Sequence, residues 1–325
     1  MIRGFQIFCL FVIACCSGCN STEKKSVNNE FPRIEIPAML TSGDALKYTV
    51  KHYWDKFTDS GRVAAVREAE RPAENTGWVL GIDSVKFEEA FSEYAVAVNY
   101  LQSADYATVN SSVKDLIRKA DRMAVAGDSI FLFRLMHYFE KYFYDPNSPF
   151  LNEEVYIPAT QGILEAKALG ELDKMQYEYQ LKISELNRAG TPAADFAYAT
   201  TNGKGSLYDL KADYTLVFFN NPDCPACADI RKILQADPGV SGLVENGRLK
   251  ILAMYIDEEV DLWRKNKEKY PREWIYAYDD KQILRDNNIY GLRAIPSLYL
   301  LDKTKKVVLK DANVNQVIAA LNNPA

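Results

Sequence analysis

The chain has 325 residues, which exceeds one typical domain and predicts two. Its formal net charge is −5 and no basic stripe runs along it, so nucleic-acid binding and electrostatic docking on anionic lipid are not expected. The hydrophobic content of 48% is sufficient for two substantial cores.

The first residues have the pattern of a secretion signal. Arg3 supplies a positive charge, an apolar run covers residues 5–14, and small residues follow. The run is too short to span a bilayer as a mature helix. The Ser-Gly-Cys ending at Cys19 resembles the lipoprotein box of bacteria, which implies lipid on Cys19. Cys15 is a second candidate for the lipid acceptor. The alternatives are a plain signal peptide with incidental cysteines and a membrane-retained anchor.

We therefore interpret residues 1–19 as a lipoprotein signal peptide. Residues 20–40 are polar and then punctuated by prolines, which predicts a tether. This places the protein in the cell envelope, held to a membrane by its lipid and either facing the periplasm or on the outer membrane.

The cysteines divide into two groups. With lipid on Cys19, the mature chain keeps only the thiols of Cys224 and Cys227. One Cys-x-x-Cys pair in an exported chain is either a structural bridge or a reactive one, and the spacing favours a reactive pair. A zinc site needs about four ligands. The two histidines, His52 and His137, lie in helical patterns and are expected to pack at an interface or in the core, so no metal site is predicted.

Helical periodicity dominates residues 41–189 and predicts an all-α domain of about six helices. The apolar stripes that indicate them cover residues 45–57, 87–101, 113–123, 130–143, 152–168 and 172–187. Pro158 predicts a turn or kink early in the fifth helix. We expect the aromatic residues of these stripes to form core rather than a ligand groove, and Glu153 and Glu154 to be charges that favour a helix start rather than an acid–base pair.

A domain boundary is predicted where Gly190 and Pro192 end the last helix. Beyond it, Asn202-Gly203 lies between two alternating runs and predicts a hairpin. The later patterns predict strands at 214–219 and 249–256, an irregular or strand-like stretch at 274–279, and helices at 260–269, 282–288 and 314–321. They also predict a hairpin of 297–301 with 306–310. This order predicts a mixed sheet with helices on both faces.

The two cysteines lie between the strand pattern at 214–219 and a helical pattern. A strand that ends at a dithiol opening a helix is typical of a redox site. Pro225 suits the first helical position, because its missing N–H would have no partner within the helix. Cys224 then lies near the N-cap, where free N–H groups and the helix dipole favour a thiolate, so Cys224 is the better nucleophile.

Together with this dithiol, the run YGLRAIPSLYLLDKTKKVV at 290–308 resembles the part of thioredoxin-like proteins that carries the cis-proline facing the active-site disulfide. The resemblance covers about residues 191–325. It implies a thioredoxin fold in which Cys224 attacks and Cys227 resolves. It also implies a cis peptide bond at Ile295-Pro296, and a backbone at Ile295 that pairs with an extended substrate segment. No cofactor is implied beyond the redox-active disulfide Cys224-Cys227, and the implied partners are protein thiols or disulfides of the envelope.

The segments HYWDKF, from His52, and KYFYDPNSPFLNEEVYIP, from Lys141, resemble a helical domain of unknown function that precedes thioredoxin-like domains in bacterial lipoproteins. This resemblance implies an architecture and no activity. The complete fold prediction is therefore an α+β chain of two domains, an all-α domain at 41–189 and a thioredoxin-like domain at 191–325.

Two positions depart from the family pattern. Asp223 stands where the family often has tryptophan, and its charge beside Cys224 opposes thiolate formation. Phe218 stands where thioredoxin has a buried acid. The main functional hypothesis is a thiol–disulfide oxidoreductase, and the alternative is a non-catalytic binding or adaptor module with a thioredoxin fold. The direction of exchange, the substrate and the oligomeric state are left open by the sequence.

Overall fold

The computed structural model describes residues 29–68 and 77–323. The predicted signal peptide, both lipid-acceptor candidates Cys15 and Cys19, and the first part of the tether lie outside the described residues. Within the described ranges, no helix combines the length and the apolar character that crossing a membrane requires.

Residues 42–185, here called the helical region, form seven α-helices in the described part of the chain. They are α1 (Ser42–His52), α2 (Ser60–Glu68), α3 (Ser84–Gln102), α4 (Tyr106–Val125), α5 (Ile130–Phe143), α6 (Glu153–Glu165) and α7 (Glu171–Glu185). Six of them confirm the predicted patterns. The prediction missed α2, because that helix buries only Val63 and carries no apolar stripe.

Short polar side chains begin several of these helices. Asp83 accepts hydrogen bonds from the first free backbone N–H groups of α3, and Asn152 does so for α6. The predicted kink at Pro158 does not end α6, which continues through that residue to Glu165. Pro158 is the sixth residue of α6, so the helix continues past it without the backbone hydrogen bond that a residue there would donate to the Glu154 carbonyl.

Aromatic side chains fill the core of the helical region, as predicted. Trp54 lies among the rings of Phe87, Phe91 and Phe131 with centroids 5.7–6.3 Å away, and all four side chains are buried. The packing role predicted for His137 is wrong, because α5 turns that residue to the solvent.

His52, the other histidine for which packing at an interface or in the core was predicted, also lies at the surface of the helical region. Its side chain is 42% exposed, and its Nδ1 lies 2.8 Å from Asp55 Oδ2. The ring also packs against Tyr48. His52 is therefore a half-exposed residue in a local surface pair rather than a core residue.

Residues 197–322, here called the sheet region, build one seven-stranded mixed sheet with the order β2-β1-β5-β4-β3-β6-β7. The strands are β1 (Ala197–Thr200), β2 (Gly203–Ser206), β3 (Tyr214–Phe219), β4 (Leu249–Tyr255), β5 (Ile275–Tyr278), β6 (Ser297–Asp302) and β7 (Val307–Leu309). The central strand β3 runs parallel to β4 and antiparallel to β6. The hairpin predicted about Asn202-Gly203 is confirmed as β1 and β2.

Helices cover the sheet region as the strand–helix alternation predicts. They are α8 (Pro225–Ala236), α9 (Pro238–Glu245), α10 (Val260–Lys265), α11 (Ile283–Asp286) and α12 (Val314–Asn322). The sequence analysis left α9 unassigned. That helix buries only Val240, so its sequence has no continuous apolar stripe.

Alternate residues of the central strands build two separate cores, one on each face of the sheet. Leu216 and Phe218 of β3 face the core that also contains Cys227. Val217 and Phe219 face the opposite core. The dithiol helix α8 therefore packs on the Phe218 face.

A buried cluster of charges joins the helical region to the edge of the sheet region. The carboxylate of Glu153 is 8% exposed, and it lies 2.6 Å from Lys310 Nζ and 3.2 Å from an Arg293 nitrogen. Lys310 Nζ also donates to the carbonyls of Ser184 and Leu186 at the end of α7, at 3.0 and 2.6 Å. Glu153 does lie in the first turn of α6, as predicted, but its main role is this pairing across the two regions.

We expect Glu153→Gln to lower the free energy of unfolding by about 3–5 kcal/mol, because Lys310 would stay buried without a carboxylate and Arg293 would keep only that of Asp311. Urea denaturation of the full chain measures the loss. Glu154→Gln is the matched control, since Glu154 pairs with Arg188 at a more exposed position and should cost about 1 kcal/mol or less. Equal losses in the two variants would contradict this role for Glu153.

Candidate functional site

The loop between β3 and α8 places the two cysteines. Asn221 Oδ1 accepts from Asp223 N at 2.9 Å, and the Asn221 carbonyl accepts from Cys224 N at 3.1 Å. Asn221 Nδ2 donates to Asp257 Oδ2 at 2.7 Å, which ties the loop to the segment after β4. These hydrogen bonds of Asn221 form a tight turn, and the turn places Cys224 at the start of α8.

Cys224 is the N-cap residue of α8, and Pro225 is its first helical residue, as predicted. Both cysteines are free thiols; Cys224 is partly exposed and Cys227 is 2% exposed. The Cys227 backbone N–H donates to Cys224 Sγ at 3.3 Å. This donor and the N-terminal end of the helix dipole both favour negative charge on Cys224.

The environment of Cys227 disfavours its thiolate. Burial, followed by the hydrogen bond with Cys224, raises the pKa of Cys227 to about 12. Phe218, at the position of the family's buried acid, is fully buried in the same core. The two thiols are therefore chemically unequal, with the exposed one suited to attack and the buried one held as a thiol.

A buried polar group lies behind the dithiol, and the sequence analysis missed it. The Tyr270 hydroxyl donates to Asn220 Oδ1, and the Arg231 guanidinium carbon lies 4.8 Å from the centroid of the Tyr270 ring. Asn220, Tyr270 and Arg231 are all buried, and Tyr270 belongs to the core cluster that contains Cys227. The available signal was Arg231, since it follows Cys227 by four residues and so shares its inward helix face.

The cis peptide bond predicted at Ile295-Pro296 is present. Ser297 begins β6 and pairs with Phe219, the last residue of β3, so the cis-proline lies beside the loop that leads to the dithiol. Ile295 is partly buried against the same core as Cys224 and Cys227. The structure thus brings all four predicted site residues to one end of the sheet, while their roles stay predictions.

Asp223 points into the solvent beside this site. Its side chain is 61% exposed, and its Oδ1 lies 4.0 Å from Lys269 Nζ. An exposed carboxylate near a lysine has a weak electrostatic effect on its neighbours. Within residues 29–68 and 77–323, no three side chains among His, Cys, Asp and Glu are grouped so that they could hold a metal ion.

In the reduced protein, we expect iodoacetamide to modify Cys224 in the Cys227→Ser variant much faster than Cys227 in the Cys224→Ser variant. Only the thiolate reacts, and burial keeps Cys227 protonated, so its rate should still be rising well above pH 9. The measurement is the alkylation rate against pH. Both variants unfolded in urea serve as the control, because their thiols are then exposed. An alkylation rate of Cys227 that reaches its plateau below about pH 9 would contradict the assignment.

The chain is similar to known proteins in both sequence and structure. A family model described as a domain of unknown function, DUF5106, matches residues 81–187. No curated protein matches the chain. A crystal structure of a thioredoxin-like protein from Bacteroides caccae is 34% identical; the match covers 90% of this chain and 98% of that one, with a TM-score of 0.77.

Shorter solved structures match part of the chain. The C-terminal domain of an uncharacterized Bacteroides fragilis protein is 46% identical over 42% of this chain and 99% of its own, with a TM-score of 0.41. The thioredoxin domain of a Bacteroides vulgatus thiol-disulfide oxidoreductase is 23% identical. That match covers 42% of this chain and 99% of the domain, with a TM-score of 0.37. The full-length match is the one that decides the family. The chain belongs to the thioredoxin-like proteins, in an arrangement where a helical domain precedes the thioredoxin fold.

Proposed function

We propose that this protein is a membrane-tethered thiol–disulfide oxidoreductase of the bacterial cell envelope, and that it exchanges disulfides through Cys224-Pro225-Ala226-Cys227. The observation that carries the proposal is the inequality of the two thiols. Cys224 is partly exposed at a helix N-terminus, and Cys227 is buried one turn inside. The cis peptide bond at Ile295-Pro296 lies at the same end of the sheet and supports the proposal.

The exchange proceeds in two balanced steps. The Cys224 thiolate attacks one sulfur of a substrate disulfide, the substrate S–S bond breaks, and one substrate thiolate leaves as a mixed disulfide forms. The Cys227 sulfur, once it loses its proton, attacks Cys224 Sγ and releases the second substrate thiol. The substrate is reduced by two electrons and gains two protons, and the protein dithiol becomes a disulfide. The reverse sequence oxidises a substrate dithiol.

A second candidate function is a non-catalytic adaptor that uses the thioredoxin fold as a scaffold. Phe218 favours this candidate, because an apolar side chain at that position cannot accept a proton from Cys227. The rate of insulin reduction, measured with a dithiol donor, separates the two candidates. An adaptor would reduce insulin no faster than the Cys224→Ser/Cys227→Ser double variant does.

In cells, we expect Cys227→Ser to accumulate mixed disulfides on Cys224, because the resolving sulfur is absent. Cys224→Ser should trap few partners or none, since its remaining thiol is buried and protonated. Non-reducing gels of alkylated envelope fractions measure the complexes, and a reducing lane shows that they are disulfides. Trapping by Cys224→Ser alone would reverse the assigned roles, and trapping by neither variant would favour the adaptor.

The membrane tether rests on Cys19 and is tested separately. We expect Cys19→Ala to release the protein from membranes or to leave it uncleaved, because the lipid acceptor would be lost. Membrane fractionation and intact mass spectrometry measure these outcomes, and Cys15→Ala is the matched control. An unmodified Cys19 in the mature, membrane-extracted protein would contradict this prediction.

A further inference from the structure

Arg293 lies between the helical region and the substrate side of the dithiol site. Its side chain is 12% exposed. Its guanidinium donates to the carbonyl of Tyr144, lies 4.2 Å from the centroid of the Tyr144 ring, and approaches Glu153 to 3.2 Å. Tyr144 and Glu153 both belong to the helical region, so Arg293 is held from that side by a carbonyl, a ring face and a carboxylate.

The same guanidinium is connected to the cis-proline. An Arg293 nitrogen lies 3.3 Å from Asp311 Oδ2, and Asp311 Oδ1 accepts from Ser297 Oγ at 2.7 Å. Ser297 directly follows Pro296. Asp311 has a φ of 48°, a left-handed conformation that few non-glycine residues adopt. A continuous chain of polar contacts thus runs from Glu153 through Arg293 and Asp311 to the residue after the cis-proline.

The segment before the cis-proline is held at two more points, one on α7 of the helical region and one just after it. Asn187 Nδ2 donates to the carbonyl of Ile289 at 2.8 Å. Gly291 has a φ of 60°, and a Cβ atom there would lie 2.8 Å from Ile183 Cγ2 of α7. Only glycine allows this approach without displacement, so the backbone of residues 289–293 rests directly on the end of α7.

We propose that Arg293 is a positioning residue, and that through it the helical region holds the cis-proline segment ready for an extended polypeptide substrate. The proposal rests on the proposed function for its substrate step. Backbone pairing at Ile295 would serve a disulfide carried on an extended peptide and would not serve a small disulfide, which reaches Cys224 directly. The helical region therefore sets a preference for polypeptide disulfides.

The test uses the full chain and three variants. Arg293→Ala removes the link to the helical region, and Ser297→Ala removes only the last link, with less risk to folding. Arg248→Ala is the matched control, because Arg248 is 57% exposed and pairs with Asp213 at the opposite end of β3. The measurements are KM and kcat for a disulfide-bonded peptide, the rate with Ellman's reagent, and hydrogen exchange of the amides in residues 294–298.

We expect Arg293→Ala and Ser297→Ala to raise KM for the peptide by roughly 2- to 30-fold, and to speed hydrogen exchange at 294–298. The rate with Ellman's reagent should change by less than about twofold, since Cys224 keeps its helix N-terminus. Arg248→Ala should change neither the peptide KM, nor the rate with Ellman's reagent, nor hydrogen exchange at 294–298. A merely structural role for the cluster would lower stability and leave the peptide KM unmoved.

Unchanged hydrogen exchange at 294–298 in folded Ser297→Ala or Arg293→Ala would overturn the positioning role. Faster exchange with an unchanged peptide KM would overturn the substrate preference. Failure of the proposed function is visible separately, because the unmodified protein would then reduce the peptide no faster than the Cys224→Ser/Cys227→Ser double variant, although its thiols would still react with Ellman's reagent. In that case hydrogen exchange alone decides whether Arg293 positions the segment.

Discussion

The pairing of β3 with β6 determines where the dithiol and the cis-proline lie relative to each other. Phe219 pairs with Ser297, so the loop to the dithiol begins one residue beyond the pair and the cis-proline ends one residue before it. A shift of one residue would turn every side chain of β3 to the other face. Phe218 and Phe219 would exchange cores, and α8 would lose the surface on which Cys227 is buried. The two cores and the site therefore depend on one register.

Elements whose signals are local were predictable from the sequence. The bounds of β3 at 214–219 and the start of α8 at Pro225 follow from an apolar run and a proline at the first helical position. Helices α2 and α9 were missed, because each buries one side chain and so leaves no stripe. The Asn220–Tyr270–Arg231 group and the burial of Glu153 depend on residues far apart in the chain, and no periodic pattern records such contacts.

In the proposed exchange, the missing acid behind the dithiol changes how the resolving step would proceed. Tyr270 is buried and its pKa is raised to about 12, so its hydroxyl is not a base at neutral pH. Arg231 is a cation and accepts no proton. The proton of Cys227 must therefore leave by another route. In the reducing direction, the substrate thiolate that Cys224 expels would itself be a base. Proton transfer from Cys227 to that leaving group would form the resolving thiolate as the mixed disulfide forms.

The charge cluster at Glu153 is a costly way to join two regions. Burial raises the pKa of Glu153 and lowers that of Lys310, in spite of their contact at 2.6 Å, so desolvation outweighs attraction for both groups. Apolar residues of similar volume would join the same surfaces with less desolvation. What they lack is direction, because a guanidinium that contacts a carbonyl, a ring face and two carboxylates is restricted in its orientation. The cluster is therefore better explained by the orientation that it imposes on residues 289–297 than by the stability that it adds.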